Sequence, residues 1–225
     1  MNRPEREPVA ARLSGDRYGV VLVLLLITFV FMASGPSGRW VPLVVAVLQG
    51  VTLLATLSAA RVGRRFFRVA ALLVAVTLVS AAAATVLDPG HLPAALFVLS
   101  LFLVAASPVV IARSVVRRHV VDVRTVLGAL CIYVLIGMSW AFLHAAVDAV
   151  DSGPFFAEVE QATTADYLYF SYVTQTTVGF GDLTAVNDVG RALAVVEALV
   201  GQLYLVTVVG VLVGNLVRRP RPGPA

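Results

Sequence analysis

The chain has 225 residues, 59% of them hydrophobic and only 13% charged, with a mean hydropathy of +0.91. Soluble domains carry about 25% charged and 45–50% apolar residues, so this composition excludes a disordered chain and an ordinary soluble enzyme. The net charge of +4 comes from 17 basic residues, all of them Arg. These lie between long apolar runs, which points to membrane topology and away from a nucleic-acid partner.

Crossing a bilayer core of ~30 Å takes about 20 mostly apolar helical residues. Six runs qualify: residues 18–33, 40–60, 69–87, 92–112, 125–147 and 192–217. The first is short. Basic residues before it and the small Ala33, Ser34 and Gly35 after it also suit a cleaved signal peptide, but the run outlasts a typical signal core and no secreted domain follows, which favours a retained helix. The connections 34–39, 61–68 and 88–91 are short, so neighbouring spans are expected to pack as antiparallel hairpins. The runs are too long and continuous for a transmembrane barrel.

Fifteen of the 17 Arg fall in the N-terminal tail, the loops after the second and fourth runs, and the C-terminal tail, leaving Arg39 and Arg191 on the other side. The positive-inside rule then places both termini in the cytoplasm. The domain reading is a cytoplasmic tail over 1–17, a four-helix region over 18–112, a basic linker over 113–124, a helix–loop–helix unit over 125–217, and a second cytoplasmic tail over 218–225.

Residues 148–160 are acidic and contain Gly153 and Pro154, as in an exposed segment. Residues 163–176 mix aromatic and hydroxyl side chains. Thr163 or Thr164 suits an N-cap, with Asp166 in the first turn where the helix dipole favours an anion. This short helix leads into Thr177-Val178-Gly179-Phe180-Gly181-Asp182. Non-helical backbone at membrane depth survives only when buried in protein or lining a water-filled path, so a re-entrant helix and loop is predicted between the fifth and sixth spans. Gly179 and Gly181, alternating with Val178 and Phe180, permit conformations that turn successive carbonyls toward one axis. With the Thr177 hydroxyl, rings of such oxygens can replace the hydration shell of a cation.

The run from Thr174 to Asp182, T-Q-T-T-V-G-F-G-D, resembles the pore signature of potassium channels, here of the bacterial two-transmembrane-pore type with four extra N-terminal spans. The closest likeness covers residues 169–182, and a looser one covers 125–217. The resemblance implies that Thr177, Val178, Gly179, Phe180 and Gly181 form a selectivity filter, with K+ bound at Thr177, Val178, Gly179 and Phe180. Asp182 would then lie at the outer mouth, and Thr174 and Thr176 in the supporting pore helix. K+ is implied as the permeant ion, with no cofactor. Two departures stand out: Phe180 replaces the commoner Tyr, removing a hydroxyl that ties the filter to the pore helix, and Tyr169-Phe170 replaces a frequent Trp pair. Filter rigidity is thereby left open. The Gly-aromatic-Gly unit, which a nonselective relative would be expected to break, is kept. With one signature per chain and no internal repeat, a ring of four takes four chains, as in a symmetric homotetramer.

By the same resemblance Gly201 falls at the hinge of the pore-lining helix; close packing of a small residue is the alternative. If Gln202 faces the cavity, Leu205 and Val209 share its face at i+3 and i+7. Glu197 then lies about 140° away, toward the pore helix or fifth span. A carboxylate in the bilayer costs about 2.5–3.5 kcal/mol on insertion scales, so a partner is expected. Glu197 either braces the filter from behind through a pore-helix Thr, Tyr or Gln, or is protonated or snorkels near the outer interface. Gly210 and Gly214 suit helix packing.

Voltage sensing takes regularly spaced Arg within a helix; residues 92–112 have none, and Arg113, Arg117 and Arg118 lie beyond them. Eight residues follow Val217, so no cytoplasmic ligand-binding domain is expected. The stretch 113–124, with His119, fits either topology alone or contact with anionic membrane lipids. Pro108 is expected to kink the fourth helix, and Pro42 and Pro93 suit first turns. His91, His119 and His144 lack metal-ligand spacing, and His144 reads as packed or hydrogen-bonded. Cys131 is the only cysteine, so no internal disulfide forms. No Walker A motif, H-E-x-x-H or nucleophile–base pair suggests an enzyme.

The expectation is an all-α membrane protein of the plasma or inner membrane, with six transmembrane helices and a re-entrant pore loop between the fifth and sixth. Its expected function is passive, potassium-selective conduction without conventional voltage gating. The alternatives are a nonselective cation channel and a non-conducting scaffold or accessory subunit.

Overall fold

The computed structural model of the protein describes residues 17–60, 62–86, 92–116, 123–151 and 153–217. The two expected cytoplasmic tails, apart from Arg17, lie outside these residues. So do the centre of the basic linker, Arg61, His91 and His119.

The described chain is helical. In order come α1 (Arg17–Ala33), α2 (Val41–Ala59), α3 (Arg64–Val86), α4 (Leu92–Val116), α5 (Val123–Asp148), α6 (Thr164–Gln175), α7 (Asp188–Leu203), a π-helical segment (Tyr204–Val209) and α8 (Gly210–Val217). Among the described residues the strand-like pairing is one antiparallel bridge, between Phe156 and Ala185. Five stretches are long and apolar enough to cross a membrane: Val41–Ala59, Arg64–Val86, Ala95–Arg113, Thr125–Asp148 and the continuous Asp188–Gly214. This is the make-up of a multi-pass membrane protein. The apolar part of α1, Gly19–Ala33, is shorter. At 1.5 Å per residue the 17 residues of α1 reach roughly 26 Å, a little under the ~30 Å hydrocarbon core. The sequence therefore identifies α1 as the marginal span for the right reason, its length.

Local chemistry explains where the helices begin and end. α1 stops where Gly35 takes φ +61°, a left-handed C-terminal stop that costs glycine little, with Pro36 immediately after. Pro42 sits in the first turn of α2, where its missing N–H is not needed. Pro108 lies inside α4, which runs through it from Leu92 to Val116.

α5 is the central element. It packs against α1, α4, α6 and α7, and its buried Leu135, Met138, Phe142 and Ala145 join Leu25 and Met32 of α1 with Tyr167 and Leu168 of α6 in one core. A second, smaller core joins Leu53 and Leu57 of α2, Val74 of α3 and Leu103 of α4. Thus α1 and α4 connect the four-helix region to α5 and α6, which carry the candidate site.

Gly50 lets α2 approach α3 closely: a Cβ at this position would lie 2.7 Å from Val74 Cγ1. Gly50→Leu should force these helices apart at a cost of about 1–3 kcal/mol, measurable as a lower thermal unfolding midpoint of the detergent-solubilised protein.

Candidate functional site: a glycine-bearing loop clasped by three helices

The site begins with α6. Thr163 caps it through a reciprocal pair: Thr163 Oγ1 accepts from Asp166 N at 3.3 Å, and Thr163 N donates to Asp166 Oδ2 at 2.7 Å. This is the cap expected from sequence, with Thr163 selected over Thr164. Such a box satisfies two otherwise unpaired N–H groups. It starts the helix at a defined residue, and so sets where the following loop begins.

At the other end the chain leaves the helix without losing contact with it. Thr177 N donates to Thr174 O at 2.9 Å, and Val178 N and Gly179 N both donate to Val173 O, at 3.0 and 3.4 Å. Positive φ then occurs at every second residue: Thr177 (58°), Gly179 (59°) and Gly181 (78°). Glycine accepts this at little cost, whereas Thr177 takes a conformation that L side chains rarely adopt. Among the described residues no donor is bonded to the carbonyl oxygens of Thr177, Val178, Gly179, Phe180 or Gly181. Val178 and Phe180 are 53% and 68% exposed in the single chain.

Side chains hold the loop on both flanks. Gln202 Nε2 of α7 donates to Thr177 Oγ1 at 2.9 Å, and Thr176 Oγ1 donates to Tyr172 O at 2.6 Å. Tyr169 Oη donates to Asp182 Oδ2 at 2.7 Å, and its ring stacks on Phe180 with centroids 6.4 Å apart and planes 8° apart. The Tyr169 hydroxyl thus ties α6 to the end of the loop through Asp182. Beyond the loop, Thr184 N and Oγ1 donate to the two oxygens of Glu158 at 2.9 and 2.7 Å, and Asn187 Nδ2 donates to Asp151 Oδ2 at 2.8 Å. The acidic segment before α6 is therefore clasped to the chain that leaves the loop. Asn187 also caps α7, accepting from Gly190 N at 2.6 Å.

Behind the loop lies a polar cluster sealed from solvent. Glu197 of α7, His144 of α5 and Ser171 of α6 are all fully buried. His144 Nε2 and Glu197 Oε2 share a hydrogen bond of 2.8 Å, and Ser171 Oγ lies 2.5 Å from Glu197 Oε1 and 2.6 Å from Gly137 O. Glu197 therefore has the partner its burial demands, and one partner is on α6. That partner is Ser171, not a Thr, Tyr or Gln as the sequence suggested, and His144 completes the set. The face of α5 toward the site also accepts a ladder of side-chain donors on its carbonyls: Tyr204 Oη to Ala129 O (2.8 Å), Gln175 Nε2 to Tyr133 O (3.0 Å), Tyr172 Oη to Val134 O (2.6 Å) and Ser171 Oγ to Gly137 O. The acceptors fall at i, i+4, i+5 and i+8, one side of a helix.

The helix that begins as α7 departs from simple α geometry. Gly201 is buried, and a Cβ there would lie 2.5 Å from Gln175 O, so its small size serves the close approach of α7 to the end of α6. Immediately beyond, Tyr204–Val209 is π-helical. Gln202, Leu205 and Val209 are each half-buried, but the i, i+3, i+7 relation assumed for them presumes α spacing, and an i→i+5 segment changes the angle per residue. Thr174 is half-buried in the last turn of α6. The sequence reading passed over Tyr172, Gln175 and Tyr204 as site-builders and did not pair His144 with Glu197; an apolar periodicity carries no record of which polar side chains meet across it.

Two outcomes follow. The hydrogen bonds from Thr184 hold the Glu158 carboxyl below its ordinary value of 4.5. A depressed folded-state pKa contributes stability above the ordinary value and loses it as pH falls through the folded one. The clasp should therefore persist at neutral pH and release on acidification below 4.5, and Thr184→Val should return the Glu158 carboxyl toward 4.5 in an NMR titration. Removing one side of the buried cluster, Glu197→Ala, should cost about 1–3 kcal/mol by leaving the His144 ring without a hydrogen-bond partner and Ser171 with Gly137 O alone. Glu197→Gln should cost less, because an amide offers both groups a donor or acceptor; thermal unfolding of the two variants measures the difference.

Residues 125–218 match a family model described as ion channel. That span runs from α5 past the end of α8 and contains the loop and its buried support. No curated protein sequence matches the chain significantly. The match supports an ion channel, and the matched span contains most of α5 and all of α6 and α7.

Proposed function

We propose that the protein is a potassium-selective channel, in which Thr177, Val178, Gly179, Phe180 and Gly181 of four identical chains surround one ion path. The observation that carries this reading is the loop backbone itself. The sign of φ alternates from Thr177 to Gly181, which lets successive carbonyls face one axis, and those carbonyls have no donor among the described residues. Oxygens left in that state are suited to replacing the hydration shell of a cation. Bound K+ would sit at Thr177, Val178, Gly179 and Phe180, and K+ is the transported ion, with no cofactor. Asp182 and the acidic segment around Glu158 would raise the local cation concentration at the mouth.

Tetramerisation is supported by what one chain leaves uncovered. Of the most apolar 18-residue window within Asp188–Gly214, only 11% is buried in the single chain, against 50% of that within Thr125–Asp148. Val195, Leu199, Leu203 and Val206 are exposed along it, as is the loop. A single chain encloses no path; a closed ring of copies covers these faces and gives the loop an axis. Both termini then lie in the cytoplasm and the loop opens outward, in accord with the Arg distribution. Conduction is passive and not conventionally voltage-gated, since the Arg of α1 to α4 among the described residues (Arg17, Arg64, Arg65, Arg68 and Arg113) lie near helix ends and none is spaced along the middle of a span.

Purified protein in liposomes should pass K+ and exclude Na+, and Gly179→Asp should abolish flux by placing a side chain and charge where φ is +59°. Equal Na+ flux would refute selectivity. Absence of flux in a folded protein, together with no effect of the loop substitution on any current, would refute conduction and favour a scaffold.

A further inference from the structure

We infer that the cavity between α2, α3, α4 and α5 binds a membrane phospholipid, with one acyl chain inside and its phosphate on Arg39. The cavity measures about 240 Å³, and its lining includes Arg39, just before α2, and Thr164, the first residue of α6. Its inner walls are Val45, Ala46, Phe97 and Phe142, with Thr77 deeper in. The Thr77 hydroxyl is already spent on Leu73 O at 2.9 Å, and apart from Arg39, Ser100 and Thr164 the rest of the lining is apolar. Thr77 and Ala84 of α3 both line it, seven residues apart, so at 1.5 Å per residue it extends roughly 10 Å along the helices. An apolar space of this kind stays dry and accepts hydrocarbon.

Arg39 decides the other end of the ligand. It is exposed, and among the described residues it makes no hydrogen bond or ion pair. Arg191 is the other Arg that the sequence assigns to this side, and its Nε already donates to Ala185 O at 3.0 Å. Trp40, next to Arg39, is half-exposed and packs against Phe31 with ring centroids 6.0 Å apart, as suits an aromatic side chain at the membrane–water interface. A guanidinium at that level, above an apolar slot, is complementary to a phosphate with an acyl chain hanging below it. The bound chain would touch Phe142 of α5 and Thr164 of α6, and so would wedge the four-helix region against the elements that hold the loop. This inference rests on the chain lying in a membrane and is independent of whether it conducts.

Native mass spectrometry of the full-length protein in detergent, with added phosphatidylglycerol or oleate, tests it. One phosphatidylglycerol should be retained per chain. Arg39→Gln should lower the retained fraction several-fold, and Ala84→Phe should abolish retention by filling the cavity, both without a change in oligomeric state. Retention unchanged in Arg39→Gln, no retention by the unsubstituted protein, or oleate held as well as phosphatidylglycerol would each overturn the assignment. Arg39 is exposed, so its substitution decides the matter even if Ala84→Phe does not fold.

Discussion

A carboxyl group sealed among apolar helices is the constraint on which the site depends. Glu197 is out of reach of water, and without partners its burial would be prohibitive. His144 and Ser171 meet that demand from two other helices, which ties α5, α6 and α7 together around the carboxyl. Single hydrogen bonds within membranes average only about 0.6 kcal/mol. The ladder on the α5 carbonyls therefore contributes less through its total than through its register: shifting α6 by one residue along α5 would break the bonds of Tyr172, Gln175 and Ser171 together. Gly137 and Gly201 permit the approach, since a Cβ on either would collide with Gln175 or Tyr172.

This rigidity has a purpose at the loop. Five carbonyls that accept no hydrogen bond among the described residues would be costly in a bilayer, and a flexible loop would turn them toward whatever donor was near. The N–H groups of Thr177, Val178 and Gly179 bonded to the end of α6, Gln202 on Thr177, and Tyr169 on Asp182 leave the oxygens little choice of direction. The outer tie of the loop is made by Tyr169: its ring stacks on Phe180 while its hydroxyl makes the polar contact with Asp182.

Much of this was legible in the sequence. Apolar runs of sufficient length announce helices irrespective of what they pack against, and α1 was recognisable as marginal by counting its residues. Thr163 with Asp166 three residues later encodes its own cap, a bond closed within four residues. The alternating glycines mark a backbone that leaves the right-handed region. Glu197 advertised its need for a partner because a charge in an apolar run has few ways to exist. The identity of that partner was not legible: Ser171 and His144 are separated from it by 26 and 53 residues, and nothing local distinguishes them from other hydroxyls and imidazoles.

The π-helical segment was equally hidden, because its residues, Y-L-V-T-V-V, suit an α-helix as well; its first residue, Tyr204, is anchored on α5 through Ala129 O. By itself the sequence determined the membrane class, the helices, the cap of α6 and the place where a non-helical loop must lie, since these follow from hydrophobicity and from bonds between near neighbours. Only the tertiary structure decided which buried polar groups meet, which face of α5 accepts them and what Tyr169 does for the loop. Those contacts join residues far apart in the chain, and their existence depends on how closely two helices are able to pack.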